Sequence, residues 1–175
     1  MYAGHVGIAL GAKGVRSSVP LWALIVASQL PDWADATICL AGITSSPSGM
    51  YSHSLPAIGV LTIFGMLAYL ASTRDLAGSA LVAALVISHA LADYVTGTKP
   101  TWSGGPMLGL QLYRHPGIDF VVEAIVILLG WLVYRASFPQ EKRSSRDAWS
   151  VLGVLLALQL LADIVFSISP GLRKC

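Results

Sequence analysis

Residues 76–95 read LAGSALVAALVISHALADYV, and the only formally charged side chain in this run is Asp93. An apolar segment of about 20 residues is long enough to cross the hydrocarbon core of a bilayer as an α-helix. Three more runs have a similar composition, at residues 55–71, 117–135 and 148–168. These four transmembrane helices predict an all-α fold, a polytopic integral membrane helical bundle.

Two shorter apolar stretches precede the four spans, at residues 2–12 and 19–30, with Lys13 and Arg16 between them. They predict a pair of shorter helices, a helical hairpin within residues 1–35. The whole chain, residues 1–175, is then a single membrane-embedded domain. The first helix of the pair carries small residues along one face, which allows close helix packing in lipid: Gly4, Gly7, Gly11 and Gly14.

The composition leaves little material for a soluble domain. Of the 175 residues, 55% are hydrophobic and 11% are charged, whereas a typical soluble domain has about 25% charged residues. The net charge of +2 is too small to indicate a nucleic-acid partner, and the expected surroundings are membrane lipid. The sequence also lacks the HExxH, GxSxG, Walker A and Rossmann glycine patterns, which excludes the enzyme classes that these motifs define.

Positively charged residues alternate between the two sets of loops that the spans define. Because cytoplasmic loops retain Lys and Arg, we expect the set with seven of them on the cytoplasmic side: Lys13, Arg16, Arg74, Arg135, Lys142, Arg143 and Arg146. The opposite set has four: Lys99, Arg114, Arg173 and Lys174. The histidines and most carboxylates then lie on the non-cytoplasmic side of an inner membrane, in a bacterial or archaeal cell.

The clearest chemical pattern lies near the end of the 76–95 span. His89 and Asp93 are four residues apart and therefore share one face of a helix. An imidazole and a carboxylate at this spacing can both reach one metal ion, or the carboxylate can orient the imidazole. The alternative is a structural hydrogen bond between helices, but ionisable groups inside membranes are costly and usually functional.

Two further segments reach the same side of the membrane. Pro31 is expected to end the second short helix or kink it, which places Asp32 and Asp35 at the interface. Two acids there could bind a hard cation, or they could be a solvated helix end. His53 follows a polar loop just before the 55–71 span. A lone loop histidine more often has no chemical role, so its assignment depends on its neighbours.

The 117–135 helix opens with two acids four residues apart, Asp119 and Glu123. A carboxylate at a helix N-terminus interacts favourably with the helix dipole, which explains Asp119 better than the deeper Glu123. Arg114, just before this helix, could neutralise Asp119 or bind a phosphate or carboxylate of a substrate. In the last span, Asp163 is expected to face the bundle interior and support the site.

The ordered motifs of the chain resemble those of the YdjM-type inner-membrane proteins, which are classed as membrane-bound metal-dependent hydrolases. The resemblance extends to about residue 135 and depends on these motifs: His5, Pro31-Asp32 with Asp35, His53-Ser54, His89-xxx-Asp93, and Gly109-Leu-Gln-Leu leading to Glu123. That family is similar in its motifs to the zinc-dependent phospholipase C and P1 nuclease group. This chain departs from the family at Asp35, which stands one residue later, and at Ser48-Gly49, where the family has a His-Arg pair.

The resemblance implies a site for a divalent metal, with zinc as the expected metal and one to three ions. The expected metal ligands are His5, Asp32, His53, His89 and Asp93, and we add Asp119. The candidate catalytic carboxylates are Asp32, Asp35 and Glu123. Arg114 is the candidate substrate-binding residue.

The resulting hypothesis is a metal-dependent hydrolase that acts on a phosphoester, such as a phospholipid or another lipid-linked phosphate, at the outer membrane surface. Two alternatives stay open. The same acids and histidines could form the pathway of a proton- or cation-coupled transporter, or they could hold a structural metal in a non-catalytic membrane protein. The sequence leaves the oligomeric state open.

Overall fold

The computed structural model describes residues 2–43, 45–143 and 146–168, with the side chains of 142 and 146–148 left out. The described chain forms seven α-helices: α1 (Gly4–Val15), α2 (Leu21–Leu40), α3 (Met50–His53), α4 (Leu55–Thr73), α5 (Leu76–Thr96), α6 (Pro116–Ala136) and α7 (Arg146–Ile168). Four of them, α4 to α7, are long and apolar enough to cross a membrane. This confirms the all-α helical bundle and indicates an integral membrane protein. Two short strands, β1 (Lys99–Pro100) and β2 (Met107–Leu108), lie between α5 and α6.

The second helix is longer than the sequence predicts, because α2 continues through Pro31 to Leu40. In a membrane bundle, neighbouring side chains can satisfy the backbone carbonyls that a proline frees. The carbonyl that loses its donor to Pro31 is that of Ala27, four residues earlier, and the next carbonyl, that of Ser28, accepts from His89 Nδ1 at 2.7 Å. The expectation that the helix ends at Pro31 is therefore wrong, and Asp32 and Asp35 lie on α2 itself.

Helix α1 packs against α6 along its glycine stripe. A Cβ atom on Gly7 would lie 2.7 Å from Ile127 Cα, and one on Gly14 would lie 2.5 Å from the carbonyl oxygen of Val133. On the α6 side, a Cβ atom on Gly130 would overlap the carbonyl of Gly7. A side chain at any of these positions would push the two backbones apart, which confirms the packing role predicted for the stripe.

The helices bring different charged groups to the two ends of the bundle. His5, near the start of α1, contacts Asp93 near the end of α5 at 3.2 Å. Arg16, just after α1, contacts Asp75 just before α5 at 2.8 Å. We call the end with His5 and Asp93 the site end, and the end with Arg16 and Asp75 the far end. Between them lies an apolar core in which Leu24 is fully buried.

The connection from α5 to α6 folds back over the site end. Strand β1 pairs antiparallel with β2, and Gly109 directly follows β2 with a φ of +139°. A Cβ atom on Gly109 would also overlap the carbonyl oxygen of Gly97, at the end of α5. Glycine is thus required at 109, since it permits this backbone angle and the close approach. The contact holds the hairpin against the end of α5.

Candidate metal centre

Four side chains from three helices converge at the site end, and we call them the cluster: Asp32 on α2, His53 on α3, and His89 and Asp93 on α5. Each offers one ligand atom, and these four atoms lie within 4.8 Å of one another. His53 Nε2 is 3.2 Å from Asp32 Oδ1 and 3.3 Å from Asp93 Oδ2. The two Nε2 atoms of His53 and His89 are 3.3 Å apart. The cluster could therefore hold a metal ion.

The cluster is buried on one side and open on the other. His53, His89 and Asp93 are at most 2% exposed. The side chain of Asp32, in contrast, is 38% exposed. A small ligand or a metal ion can therefore reach the cluster past Asp32, while the remaining three residues are shielded from solvent.

A backbone carbonyl fixes the orientation of His89. Its Nδ1 is 2.7 Å from the carbonyl oxygen of Ser28 on α2. Because a carbonyl only accepts, Nδ1 carries a proton and donates it. In the neutral imidazole, Nε2 then has a lone pair, and Nε2 is the atom that faces Asp32 and Asp93, at 3.6 and 3.5 Å. This is the arrangement of a metal-binding histidine whose second nitrogen is held by a backbone oxygen.

A serine relay orients His53 in the same way. Ser52 Oγ donates to Asp35 Oδ1 at 2.6 Å, so its single proton is used and it accepts from His53 Nδ1, at 2.7 Å. His53 Nε2 is then also a lone-pair atom. The turn that carries His53 starts at Gly49, whose φ of +80° lies in the left-handed region. Asp35, predicted as a catalytic carboxylate, thus meets the cluster through Ser52 and His53.

These hydrogen bonds leave the cluster without a proton to share when both imidazoles are neutral. Two ring nitrogens and two carboxylate oxygens converge, and all four are acceptors. Positive charge stabilises such an arrangement, whether it comes from a proton, a metal ion or a neighbouring ammonium group. Burial opposes the charged form of His53, but hydrogen bonds to Asp32 and Asp93 outweigh burial and raise its pKa above the ordinary value.

His5, a predicted metal ligand, lies one contact outside the cluster. Its Nε2 is 3.2 Å from Asp93 Oδ1, whereas the oxygen that faces His53 and His89 is Oδ2. Since a carboxylate only accepts, His5 donates this hydrogen bond. Its ring also stacks on His89, with 3.8 Å between the ring centroids. His5 is thereby placed to orient both α5 residues of the cluster.

Glu123 lies in a separate polar group at the start of α1. Its carboxylate accepts the backbone N–H of Tyr2 at 2.9 Å and that of Gly4 at 3.0 Å. A carboxylate in this position satisfies orphan donors at a helix N-terminus and interacts favourably with the helix dipole. Glu123 therefore interacts with the dipole of α1, although it belongs to α6. Its hydrogen bonds to the start of α1 anchor α1 to α6.

Asp119 and Asp163 belong to the same separate group. Asp119 is buried and interacts with Glu123 and Asp163. Gln159 accepts the backbone N–H of Ala3 at 3.0 Å and donates to both carboxylate oxygens of Asp163 at 3.1 Å. The structure thus brings Asp119, a predicted metal ligand, together with residues that hold the start of α1. Asp163, expected to support the metal site, instead contacts Gln159 in this separate group.

Lys99 is the residue at the site that sequence reasoning missed. Its Nζ is 2.9 Å from Asp93 Oδ2, the oxygen that faces the two histidines, and its side chain is 22% exposed. The sequence treats Lys99 only as a loop charge that sets topology, because it is separated from Asp93 by the end of a helix and a glycine. Arg114, the predicted substrate-binding residue, is exposed, and the described contacts do not join it to the cluster.

Comparisons of the chain with family models, with curated proteins and with solved structures find no match. The resemblance to the YdjM-type proteins therefore stays a prediction from motifs. The assignment of a function depends on the geometry of the cluster itself.

Proposed function

We propose that this protein is a membrane-bound metal-dependent hydrolase of a phosphoester, with its site on the non-cytoplasmic face. The observation that carries the proposal is the convergence of two lone-pair nitrogens and two carboxylate oxygens at one point. Both nitrogens are set by hydrogen bonds from their opposite ring edge, to Ser28 and Ser52. A site that is organised in this way before any ion binds favours a resident metal over a chance meeting of side chains.

The ligand set fits zinc best among common divalent metals. Zinc accepts imidazole nitrogen and carboxylate oxygen in a four-coordinate arrangement, whereas Mg²⁺ and Ca²⁺ prefer oxygen ligands. When bound, zinc supplies a positive charge that activates water and polarises a phosphoryl oxygen. We assign one ion to the cluster, held by Asp32, His53, His89 and Asp93.

The protein residues have distinct tasks in this proposal. Asp32 is the cluster residue that contacts both the other ligands and solvent. We therefore assign it the role of the general base, which accepts the proton of the attacking water. Asp35 holds the Ser52 hydroxyl and through it the tautomer of His53. The buried side chains of His53, His89 and Asp93 exclude water from the inner side of the site.

The position of the cluster favours a lipid-linked substrate. The cluster lies at the ends of the apolar helices, and Trp33 and Trp102 on the same side are each 50% exposed. Tryptophan is enriched where the bilayer meets water. A phosphate group at this depth belongs to the headgroup region of a phospholipid or of another lipid-linked phosphate.

The proposal is tested with detergent-purified protein that is stripped with a chelator and reloaded with zinc. We expect hydrolysis of a fluorogenic phosphodiester, or of phospholipid in mixed micelles, that disappears on chelation and returns with zinc. His89→Ala should lose this activity, and His115→Ala should keep it, since His115 is exposed and outside the cluster. Stoichiometric zinc without hydrolysis of any phosphoester would overturn the proposal.

A structural metal site is the second candidate. Four protein ligands can complete the tetrahedral shell of zinc, whereas catalytic sites usually keep one position open. Three of the four residues are also almost fully buried. This candidate expects zinc to raise the melting temperature of the protein strongly, with no turnover, and with equal stabilisation in the presence and absence of a phosphoester.

A further inference from the structure

We propose that Lys99 is the anion-binding residue of the site, and that it makes the cluster select a phosphate group at the expense of metal affinity. The inference rests on the proposed metal site and deepens it, since it concerns the substrate class. It starts from the 2.9 Å contact between Lys99 Nζ and Asp93 Oδ2. The fold therefore places this ammonium group against a carboxylate of the cluster.

The backbone explains how Lys99 reaches a residue on the preceding helix. Helix α5 ends at Thr96, and the chain reverses so that β1 begins at Lys99. The hairpin is fixed by the contact of Gly109 with Gly97 and by the Leu55 N–H, which donates to the carbonyl of Thr101 at 2.8 Å. The backbone at Lys99 is thus held by a hairpin that is tied to two helices, within reach of Asp93.

The charges explain what Lys99 does there. The two carboxylates of the cluster carry two negative charges, which a divalent ion balances. Counted over the four cluster residues, one divalent ion and Lys99, one positive charge is then in excess; the carboxylate of Asp35 lies outside this count, beyond Ser52. This excess of positive charge disfavours a second cation and favours an anionic ligand. The ammonium group of a lysine commonly donates hydrogen bonds to a phosphate.

The exposure of Lys99 agrees with this role. At 22% exposure its side chain is partly open to solvent, as is that of Asp32 at 38%, while Asp93, which it contacts, is buried. A phosphate bound beside Asp93 would lie within reach of this ammonium group. Arg114, in contrast, is exposed to solvent and has no described contact with the cluster. We therefore assign to Lys99 the role that the sequence assigns to Arg114.

Two affinities of the full-length protein test the inference: zinc affinity by chelator competition, and the affinity of the zinc-loaded protein for inorganic phosphate by calorimetry. Lys99→Met removes the charge but keeps the length of the side chain. Because it removes a competing cation at a ligand oxygen, we expect zinc affinity to rise by about tenfold and phosphate affinity to fall by about tenfold. Lys99→Arg should restore phosphate binding, and Arg114→Gln should leave both affinities unchanged.

The outcomes separate this inference from the proposed function. If Lys99→Met leaves zinc and phosphate affinity unchanged, or lowers both, the inference is wrong even if the wild-type protein hydrolyses phosphoesters. If both affinities shift as expected but no phosphoester is hydrolysed, the inference stands and the hydrolase assignment fails. A wild-type protein that binds no zinc overturns both. A loss of phosphate binding in Arg114→Gln alone would return the role to Arg114.

Discussion

At the far end of the bundle the described contacts of Arg16 and Arg135 pair a cation with a carboxylate or with aromatic rings, whereas at the site end four acceptor atoms converge and Lys99 contacts one of them. Arg16 binds Asp75 at 2.8 Å, and Arg135 lies over the rings of Trp131 and Trp149. The four cluster atoms instead face one another. Arg16 and Asp75 thus balance each other at the far end, whereas at the site end Lys99 is one positive charge beside two carboxylates and two imidazoles. This difference, more than the number of acids, marks the site end as the place where a cation could bind.

The largest expected effect comes from removing the central carboxylate of the cluster. Asp93→Asn should lower zinc affinity by at least about 100-fold, since loss of a ligand exceeds the 10- to 100-fold cost of losing an outer partner. The measurement is zinc affinity by chelator competition on monodisperse protein.

The matched control for this change is Asp119→Asn, at a second buried acid of the site end. Asp119 interacts with Glu123 and Asp163 and has no described contact with the cluster, so its variant should bind zinc as the wild type does. Equal losses in the two variants would contradict the division into a metal cluster and a group that anchors α1.

Among substitutions outside the cluster, we expect the largest loss in the free energy of unfolding where α1 packs against α6. In Gly7→Ala the new Cβ atom would meet the Ile127 backbone at 2.7 Å, and overpacking of this kind costs about 1–3 kcal/mol. Gly59→Ala is the control, because a Cβ atom there has no neighbour within 4 Å. Thermal unfolding in detergent should separate the two variants, and equal melting temperatures would argue against close packing of α1 and α6.

Loss of the serine relay should weaken zinc binding less than loss of a ligand does. Ser52→Ala leaves His53 Nδ1 without its acceptor and frees Asp35, so we expect about tenfold weaker zinc binding, the lower end of the range for outer partners. Ser88→Ala is the matched control, since Ser88 bonds to the Leu85 carbonyl of its own helix. If both serine variants bind zinc alike, the relay does not set the tautomer of His53.

The smallest effect is expected at the far end. The Gly78 N–H and Arg16 lower the pKa of Asp75 below its ordinary value of 3.8. A lowered pKa in the folded state means that this carboxylate stabilises the protein above pH 3.8 and loses its contribution as the pH falls through the lowered value. The melting temperature of Asp75→Asn should thus lie slightly below that of the wild type at pH 7, with the gap closing in acid. Zinc affinity should not change.

The sequence predicts those parts of the site that depend on local spacing. His89 and Asp93 are recognisable because four residues make one helical turn, and the glycine stripe of α1 is recognisable for the same reason. The prediction that the second helix ends at Pro31 failed, because α2 continues to Leu40, and the His89 contact to the carbonyl of Ser28 beside the proline comes from a residue 61 positions away. Lys99 was missed because a helix end and a chain reversal bring it to Asp93, and neither has a periodic pattern.

The separation of Glu123 from the cluster was also beyond the sequence. Glu123 has the residue type and the depth of a metal ligand, but the start of α1 occupies it through backbone donors of Tyr2 and Gly4. Backbone amides leave no side-chain signal, so the competition between a metal and a helix N-terminus for one carboxylate is visible only in three dimensions.

X-ray absorption spectroscopy at the zinc edge of the reloaded, detergent-purified protein tests the central claim most directly. The cluster predicts about one zinc ion per chain, with nitrogen and oxygen ligands at about 2.0–2.2 Å and outer-shell scattering from two imidazole rings. His115→Ala should give the same spectrum. Absence of stoichiometric zinc, a sulfur ligand, or a shell without imidazole scattering would contradict the account.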